Sequence, residues 1–108
     1  MAEEQPVSAI ESLRKRIDEL DEQLVRLLSA RAACALEVGR VKKMAGIQVY
    51  QPGRESEVLA HVARVNRGPL DDGAIRRLFE RIIDEARRLE RMADGEADPY
   101  DPLGVGRE

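Results

Sequence analysis

Between Val7 and Gln51 the chain contains no proline, and apolar side chains recur through this stretch at alternating steps of three and four. Positions 10, 13, 17, 20, 24, 27, 31, 34, 38, 41 and 45 hold Ile, Leu, Ile, Leu, Leu, Leu, Arg, Cys, Val, Val and Ala, so ten of the eleven are apolar and Arg31 is the exception. A heptad pattern of this length predicts one long helix. Ser8 with Glu11 three residues later has the form of a capping box and predicts the start at Ser8. Gly39 costs roughly 1 kcal/mol relative to Ala in a helix interior, yet the pattern runs through it, and Gly46 predicts the stop. Residues 47–52 read as a loop with some extended character. A second helix is predicted from about Gly53 to Val65, followed by the turn Asn66-Arg67-Gly68-Pro69. Asp71 or Asp72 can cap a third helix that carries Ile75, Leu78, Phe79, Ile82, Ile83, Ala86 and Leu89 on one side and ends near Ala93. From Asp94 onward the chain has too little apolar content to pack, which predicts disorder. The resulting division is a short extension over 1–7, a helical domain over 8–93 and a tail over 94–108.

The predicted first helix has about 37 residues and, at about 1.5 Å per residue, a length of about 55 Å. A compact 100-residue domain has a radius of gyration of only about 13 Å. Two shorter helices of about 12 and about 22 residues cannot cover so long an apolar seam. The pattern therefore predicts an all-α protein, three helices per chain, assembled as an intertwined homodimer.

Composition narrows the classes further. With 108 residues there is room for one small domain, and with 3% aromatic residues and no Trp its core must be aliphatic, which suits helices better than a β-sandwich. The 18 basic and 21 acidic residues are interleaved and leave a formal charge of −3, without the basic surplus of a nucleic-acid binder. No run approaches the roughly 20 apolar residues needed to span a bilayer, and no signal-peptide pattern opens the chain. The lone Cys34 and lone His61 allow neither a disulfide nor a zinc-type ligand cluster. These features predict a cytoplasmic protein with no metal, nucleic-acid or membrane partner.

Several charged residues interrupt the apolar faces. Lys42 lies eleven residues beyond Arg31, which on a helix returns to within about 20° of the same face, with the Cα atoms roughly 16 Å apart. Two extended cationic side chains could converge on a small anion there, or Arg31 could set register or pair with an acidic residue across an interface. Glu55 falls within about 40° of Leu59 and Val62, with Arg54 beside it, although the two could form a simple surface pair. Glu90 shares the azimuth of Phe79 and lies one turn beyond Ala86, although a carboxylate in a frayed last turn would look the same. Taken together, Arg31, Lys42, Arg54, Glu55 and Glu90 give every helix an ionisable group on its apolar face, which a purely structural bundle would avoid because burying charge costs several kcal/mol. A polar pocket explains them, and three cations among five favour a small anion, above all a carboxylate held by Arg. No Cys–His pair, serine triad or Gly-rich phosphate loop accompanies them, so neither covalent catalysis nor nucleotide binding has support.

Leu13-Arg14-Lys15-Arg16-Ile17-Asp18-Glu19-Leu20-Asp21, Leu27-Leu28-Ser29-Ala30-Arg31, Glu37-Val38-Gly39-Arg40-Val41-Lys42, Pro52-Gly53-Arg54-Glu55, Asn66-Arg67-Gly68-Pro69-Leu70 and Leu78-Phe79-Glu80-Arg81-Ile82-Ile83 through Leu89-Glu90 carry a resemblance to the all-helical chorismate mutase family. It covers about residues 8 to 92 and is strongest to the mutase domains fused to a prephenate dehydratase or an aromatic-pathway synthase, with the expectation that here the domain stands alone. The resemblance implies an entwined dimer and a cofactor-free Claisen rearrangement of chorismate to prephenate in phenylalanine and tyrosine biosynthesis. By position it implies that Arg31 binds one substrate carboxylate and that Arg14, about 25 Å away along the helix, reaches the partner subunit's site to bind the other. It implies that Lys42 donates to the ether oxygen, Glu55 accepts from the ring hydroxyl and Arg54 supports the carboxylate side. One branch of the family has Gln, Ser and Asp where this chain has Glu90, Ala86 and Gln51. For Glu90 to donate to the ether oxygen it must be protonated, which requires a pKa above about 4.3. Alternatives on the same scaffold are a mutase for the 4-amino analogue of chorismate and an isochorismate pyruvate lyase, with contacts at Gln51 and Glu55 deciding. A non-catalytic dimerisation module, or a regulatory partner of a larger aromatic-pathway enzyme, is the alternative of another class.

Overall fold

Proline and glycine set the helix boundaries. The computed structural model describes residues 5–48 and 51–95, and among these the ordered elements are three helices, α1 (Pro6–Ala45), α2 (Pro52–Val65) and α3 (Asp72–Ala93). Part of the loop before α2 and most of the tail beyond Asp94 lie outside the described residues. The 40-residue α1 begins two residues before the predicted Ser8. Pro6 occupies the first helical position, where its fixed φ suits the helix and its missing N–H leaves no orphan donor. The Ala9 amide donates to the Gln5 carbonyl at 2.9 Å, so Ser8 and Glu11 lie inside the first turns and do not form a capping box.

At the other end of α1, Gly46 adopts φ 72°. The Ile47 amide donates to the Lys42 carbonyl at 2.8 Å and the Gly46 amide to the Lys43 carbonyl at 3.2 Å, the paired bonds of a Schellman motif. Only a residue free of Cβ strain turns the chain out of the helix here without penalty. On the far side of the loop Gln51 is extended at φ −132°, ψ 95°, as a residue before proline must be, and Pro52 opens α2 one residue earlier than the predicted Gly53.

The turn between α2 and α3 is organised by one side chain. Asn66 Nδ2 donates to the Leu70 carbonyl at 2.8 Å and to Asp72 Oδ1 at 2.9 Å, while its Oδ1 accepts from the Gly68 amide at 3.1 Å. The Gly68–Pro69 peptide bond is cis. Asp71 caps α3, its Oδ1 accepting from the Ala74 amide at 2.7 Å.

The chain divides into two compact units, residues up to Arg31 and residues from Ala32. In the first, Val7, Ile10, Leu13, Ile17, Leu20, Leu24, Leu27 and Leu28 of α1 are 39–68% exposed. In the second, α2 packs on α3. Val58 is the one buried apolar residue among the described residues, with Leu59, Val62, Ile75, Phe79, Ile82, Ile83 and Ala86 half-buried. Leu78 and Leu89, predicted on the packed side of α3, remain exposed. The 14-residue α2 is shorter than the 22-residue α3 on which it packs.

Candidate active site

The C-terminal unit gathers the ionisable groups. Lys42 stands in the last turn of α1, where the Schellman turn reverses the chain and brings Gln51 back. Lys42 Nζ donates to Gln51 Oε1 at 3.1 Å. Glu55 lies in the first turn of α2, half-buried, and its carboxylate is paired with Arg87 of α3. Arg54 beside it is exposed. Ala86 and Glu90, one turn apart on α3, are both half-buried. Of the remaining predicted residues, Arg14 is exposed and Arg31 half-buried, both on the part of α1 that belongs to the N-terminal unit.

Glu90 is where these neighbours converge. Burial pushes its carboxyl above the usual value of 4.5; Lys42 and Arg87 pull it back, while Asp94 pushes it further up. Desolvation is the largest of these effects, since removing water penalises the charged form. α3 continues past Glu90 to Ala93, and the Asp94 amide donates to the Glu90 carbonyl at 3.1 Å, so the backbone is still helical where this carboxyl is attached. Opposite it is Gly39 of α1, where a Cβ would meet the Glu90 carboxyl carbon at 3.8 Å.

Three residues that the sequence pattern did not place at the site bear on it. Arg87 pairs with Glu55 and lies three residues before Glu90, a spacing that puts the two on neighbouring positions of one helix face. Asp94 acts on Glu90 and is itself held by Lys43, whose Nζ lies 2.6 Å from Asp94 Oδ1. Gly39 lies three residues before Lys42 and faces the Glu90 carboxyl, where an added Cβ would make ordinary van der Waals contact. The (i, i+3) and (i, i+4) spacings to Lys42 and Glu90 were the available signal. Among the described residues no cluster of His, Cys, Asp or Glu could hold a metal ion, and no helix is long and apolar enough to cross a membrane. The unit thus presents a cation at Lys42, a partly desolvated acid at Glu90 and an ionic acceptor at Glu55, from three different helices.

A family model for chorismate mutase type II matches residues 13–91, most of the chain. The chain belongs to the chorismate mutase type II family. The bifunctional chorismate mutase/prephenate dehydratase of Stutzerimonas stutzeri is 44% identical over 87 residues, which are 76% of this chain and 24% of that protein. The chain thus spans about a quarter of the length of such bifunctional relatives. The chorismate mutase of Methanocaldococcus jannaschii is 23% identical over 87 residues, covering 80% of this chain and 88% of that protein. The solved structure of chorismate mutase (form II) from Thermus thermophilus superimposes with a TM-score of 0.74 at 38% identity, over 77% of this chain and 94% of the other. For this mutase-family chain the all-α, three-helix architecture is therefore shared with a solved relative at substantial identity.

Proposed function

We propose that the chain rearranges chorismate to prephenate, with Lys42 and Glu90 at the reacting ether oxygen, in the cytoplasmic synthesis of phenylalanine and tyrosine. The reaction breaks one C–O bond and forms one C–C bond within a single molecule. It consumes no nucleophile, proton or electron, so the protein can act only by selecting the reactive chair and by stabilising the charge that separates. Negative charge gathers on the ether oxygen as the C–O bond lengthens. Lys42 donates to that oxygen from the end of α1, and a protonated Glu90 donates to it from α3. Glu55 accepts from the ring hydroxyl, with Gln51 and Ala86 lining the same space. Arg31 holds one carboxylate, Arg14 from a second subunit holds the other, and Arg54 supports the carboxylate side.

The single observation that carries this reading is Glu90: a half-buried carboxyl whose pKa is raised above its usual value although the Lys42 cation acts on it. A structural salt bridge would have depressed that pKa; a hydrogen-bond donor needs it raised. The second subunit is supported by the exposed stripe from Val7 to Leu28. Apolar surface left in water forgoes about 25 cal/mol per Å², and a second α1 offers a surface of the same length and period. The reaction itself needs no further aromatic-pathway enzyme as a partner, although the fused relatives join the mutase to one.

The test is loss of chorismate absorbance with purified protein, the product being identified as prephenate by acid-catalysed conversion to phenylpyruvate. Prephenate formation that Arg31→Ala abolishes is the expected result. A folded protein that leaves chorismate intact refutes the proposal and directs attention to isochorismate and the 4-amino analogue; inactivity on all three leaves the dimerisation or regulatory module.

A further inference from the structure

Arg87 meets Glu55 across the α2–α3 packing, joined by a guanidinium–carboxylate pair whose side chains are 36% and 26% exposed. Charge-assisted pairs of this kind fix orientation as well as distance. A carboxylate has about four lone-pair sites, so Glu55 can hold Arg87 and still accept one further hydrogen bond from a substrate. The electrostatic character of that remaining acceptor is what Arg87 changes. An unpaired carboxylate attracts an ammonium more strongly than a hydroxyl, because Coulomb attraction to a full charge adds to the hydrogen bond. Once paired, Glu55 and Arg87 carry no net charge between them, and an approaching ammonium also meets the guanidinium. Arg87 lies three residues before Glu90 on the same helix, so its position is felt at both carboxyl groups of the site; the other charges that bear on Glu90 are Lys42 from α1 and Asp94 at the end of α3.

We propose that Arg87 is a positioning and specificity-determining residue: paired with Glu55, it makes the ring-substituent subsite a neutral acceptor that takes a hydroxyl and turns away an ammonium. It thereby sets the preference for chorismate over its 4-amino analogue. This inference rests on the role given above to Glu55 in the mutase reaction.

The experiment measures kcat and KM of the full chain for chorismate and for the 4-amino analogue at pH 7 and fixed ionic strength, in the unsubstituted protein, Arg87→Met and Arg87→Lys. In the unsubstituted protein chorismate is preferred. In Arg87→Met the chorismate-to-amino ratio of kcat/KM falls about tenfold or more, mainly through KM for the amino compound, because a like-charge repulsion has been removed; Arg87→Lys, which keeps the cation, holds the ratio. A ratio that stays within about twofold in a folded Arg87→Met overturns the inference, since a merely structural arginine would lower both substrates together. A preference for the amino analogue in the unsubstituted protein overturns it as well. Where circular dichroism shows that Arg87→Met has lost its helices, Glu55→Gln supplies the reciprocal reading. It removes the negative charge of the Glu55–Arg87 pair and keeps the guanidinium, so the amino analogue must lose more than chorismate, and equal losses overturn the inference. An unsubstituted protein inactive on chorismate brings down the mutase reading and this inference with it; activity with an unmoved ratio brings down this inference alone.

Discussion

Glu90→Gln separates a hydrogen-bond-donating carboxyl from a decorative one. A Glu90 that donates must be in the R–COOH form, and burial raises its pKa from the usual 4.5 against the opposing pull of Lys42 and Arg87. At a pH above that raised value the fraction of protonated Glu90 falls about tenfold per pH unit, and kcat falls with it if the neutral acid is the donor. An amide donates at every pH. The expected outcome is a descending alkaline limb of unit slope in the parent and a flat profile for Glu90→Gln between about pH 5 and 9, the two rates meeting at the acid end. The same shift has a consequence for folding. Because the folded-state pKa is raised, the folded chain holds this proton more tightly than the unfolded one. The resulting stabilisation is complete below the unfolded value of 4.5 and is lost as pH rises through the folded value. The site is partly solvated, so this stability change is small beside the change in rate. The assay is initial-rate loss of chorismate across that range, with urea midpoints taken in parallel. Parent and variant profiles that are both flat, or a limb that survives in Glu90→Gln, would refute the donor role.

Two further outcomes test the remaining parts of the site and the fold. Lys42→Ala and Arg31→Ala should each lower kcat/KM for chorismate by about 10² to 10³, the usual effect of removing one preorganised donor, with the far-ultraviolet helical signal intact; full activity in either sinks the assignment of that residue. Asp71→Ala removes the acceptor for the Ala74 amide and should lower the stability of the folded protein by about 1 kcal/mol in urea titration, leaving kcat within about twofold because the cap lies at the far end of α3 from Glu90; an unchanged midpoint would show that solvent replaces the cap.

The helices and the inward direction of Glu90 were legible in the sequence because both are local. A three–four repeat over Ile10 to Ala45 leaves no other regular backbone, and eleven residues between Phe79 and Glu90 bring them to one azimuth whatever lies opposite. Gly46 was equally legible as a stop, since the Schellman turn needs a residue free at positive φ. The start of α1 was misread because two local signals compete, and Pro6 with its preset φ precedes the Ser8–Glu11 pair. What pattern reading could not reach is pairing across elements. Glu55 and Arg87 are 32 residues apart, and nothing near Glu55 distinguishes a partner on α3 from the adjacent Arg54. The exposure of Leu78 and Leu89 is of the same kind, since it depends on how much of α3 the shorter α2 can cover. Local periodicity says which side of a helix is apolar and is silent on what lies against it.

The proposed two-subunit site admits a test that no property of a single chain can mimic. Arg14 and Arg31 are seventeen residues apart on α1, about 25 Å of helix, while the substrate's two carboxylates belong to one small molecule. If each site takes Arg31 from one chain and Arg14 from the other, Arg14→Ala and Arg31→Ala homodimers are both inactive, each lacking one clamp in both sites. Unfolding and refolding them together in equal amounts forms heterodimers in which one site has lost both arginines and the other has both intact. Random pairing makes about half of all dimers heterodimers, and with one working site in each the mixture should recover about a quarter of the parent's activity. Mixing without unfolding should recover it only as fast as subunits exchange. This exchange is expected to be slow, because a chain with one buried apolar side chain among its described residues has little fold to fall back on when its partner leaves. If instead Arg14 serves its own chain, every site in every mixture lacks one arginine and no activity returns. Recovery near a quarter therefore requires a dimer and assigns Arg14 to the neighbouring site, whereas none, with both variants folded and dimeric, removes Arg14 from the catalytic arrangement.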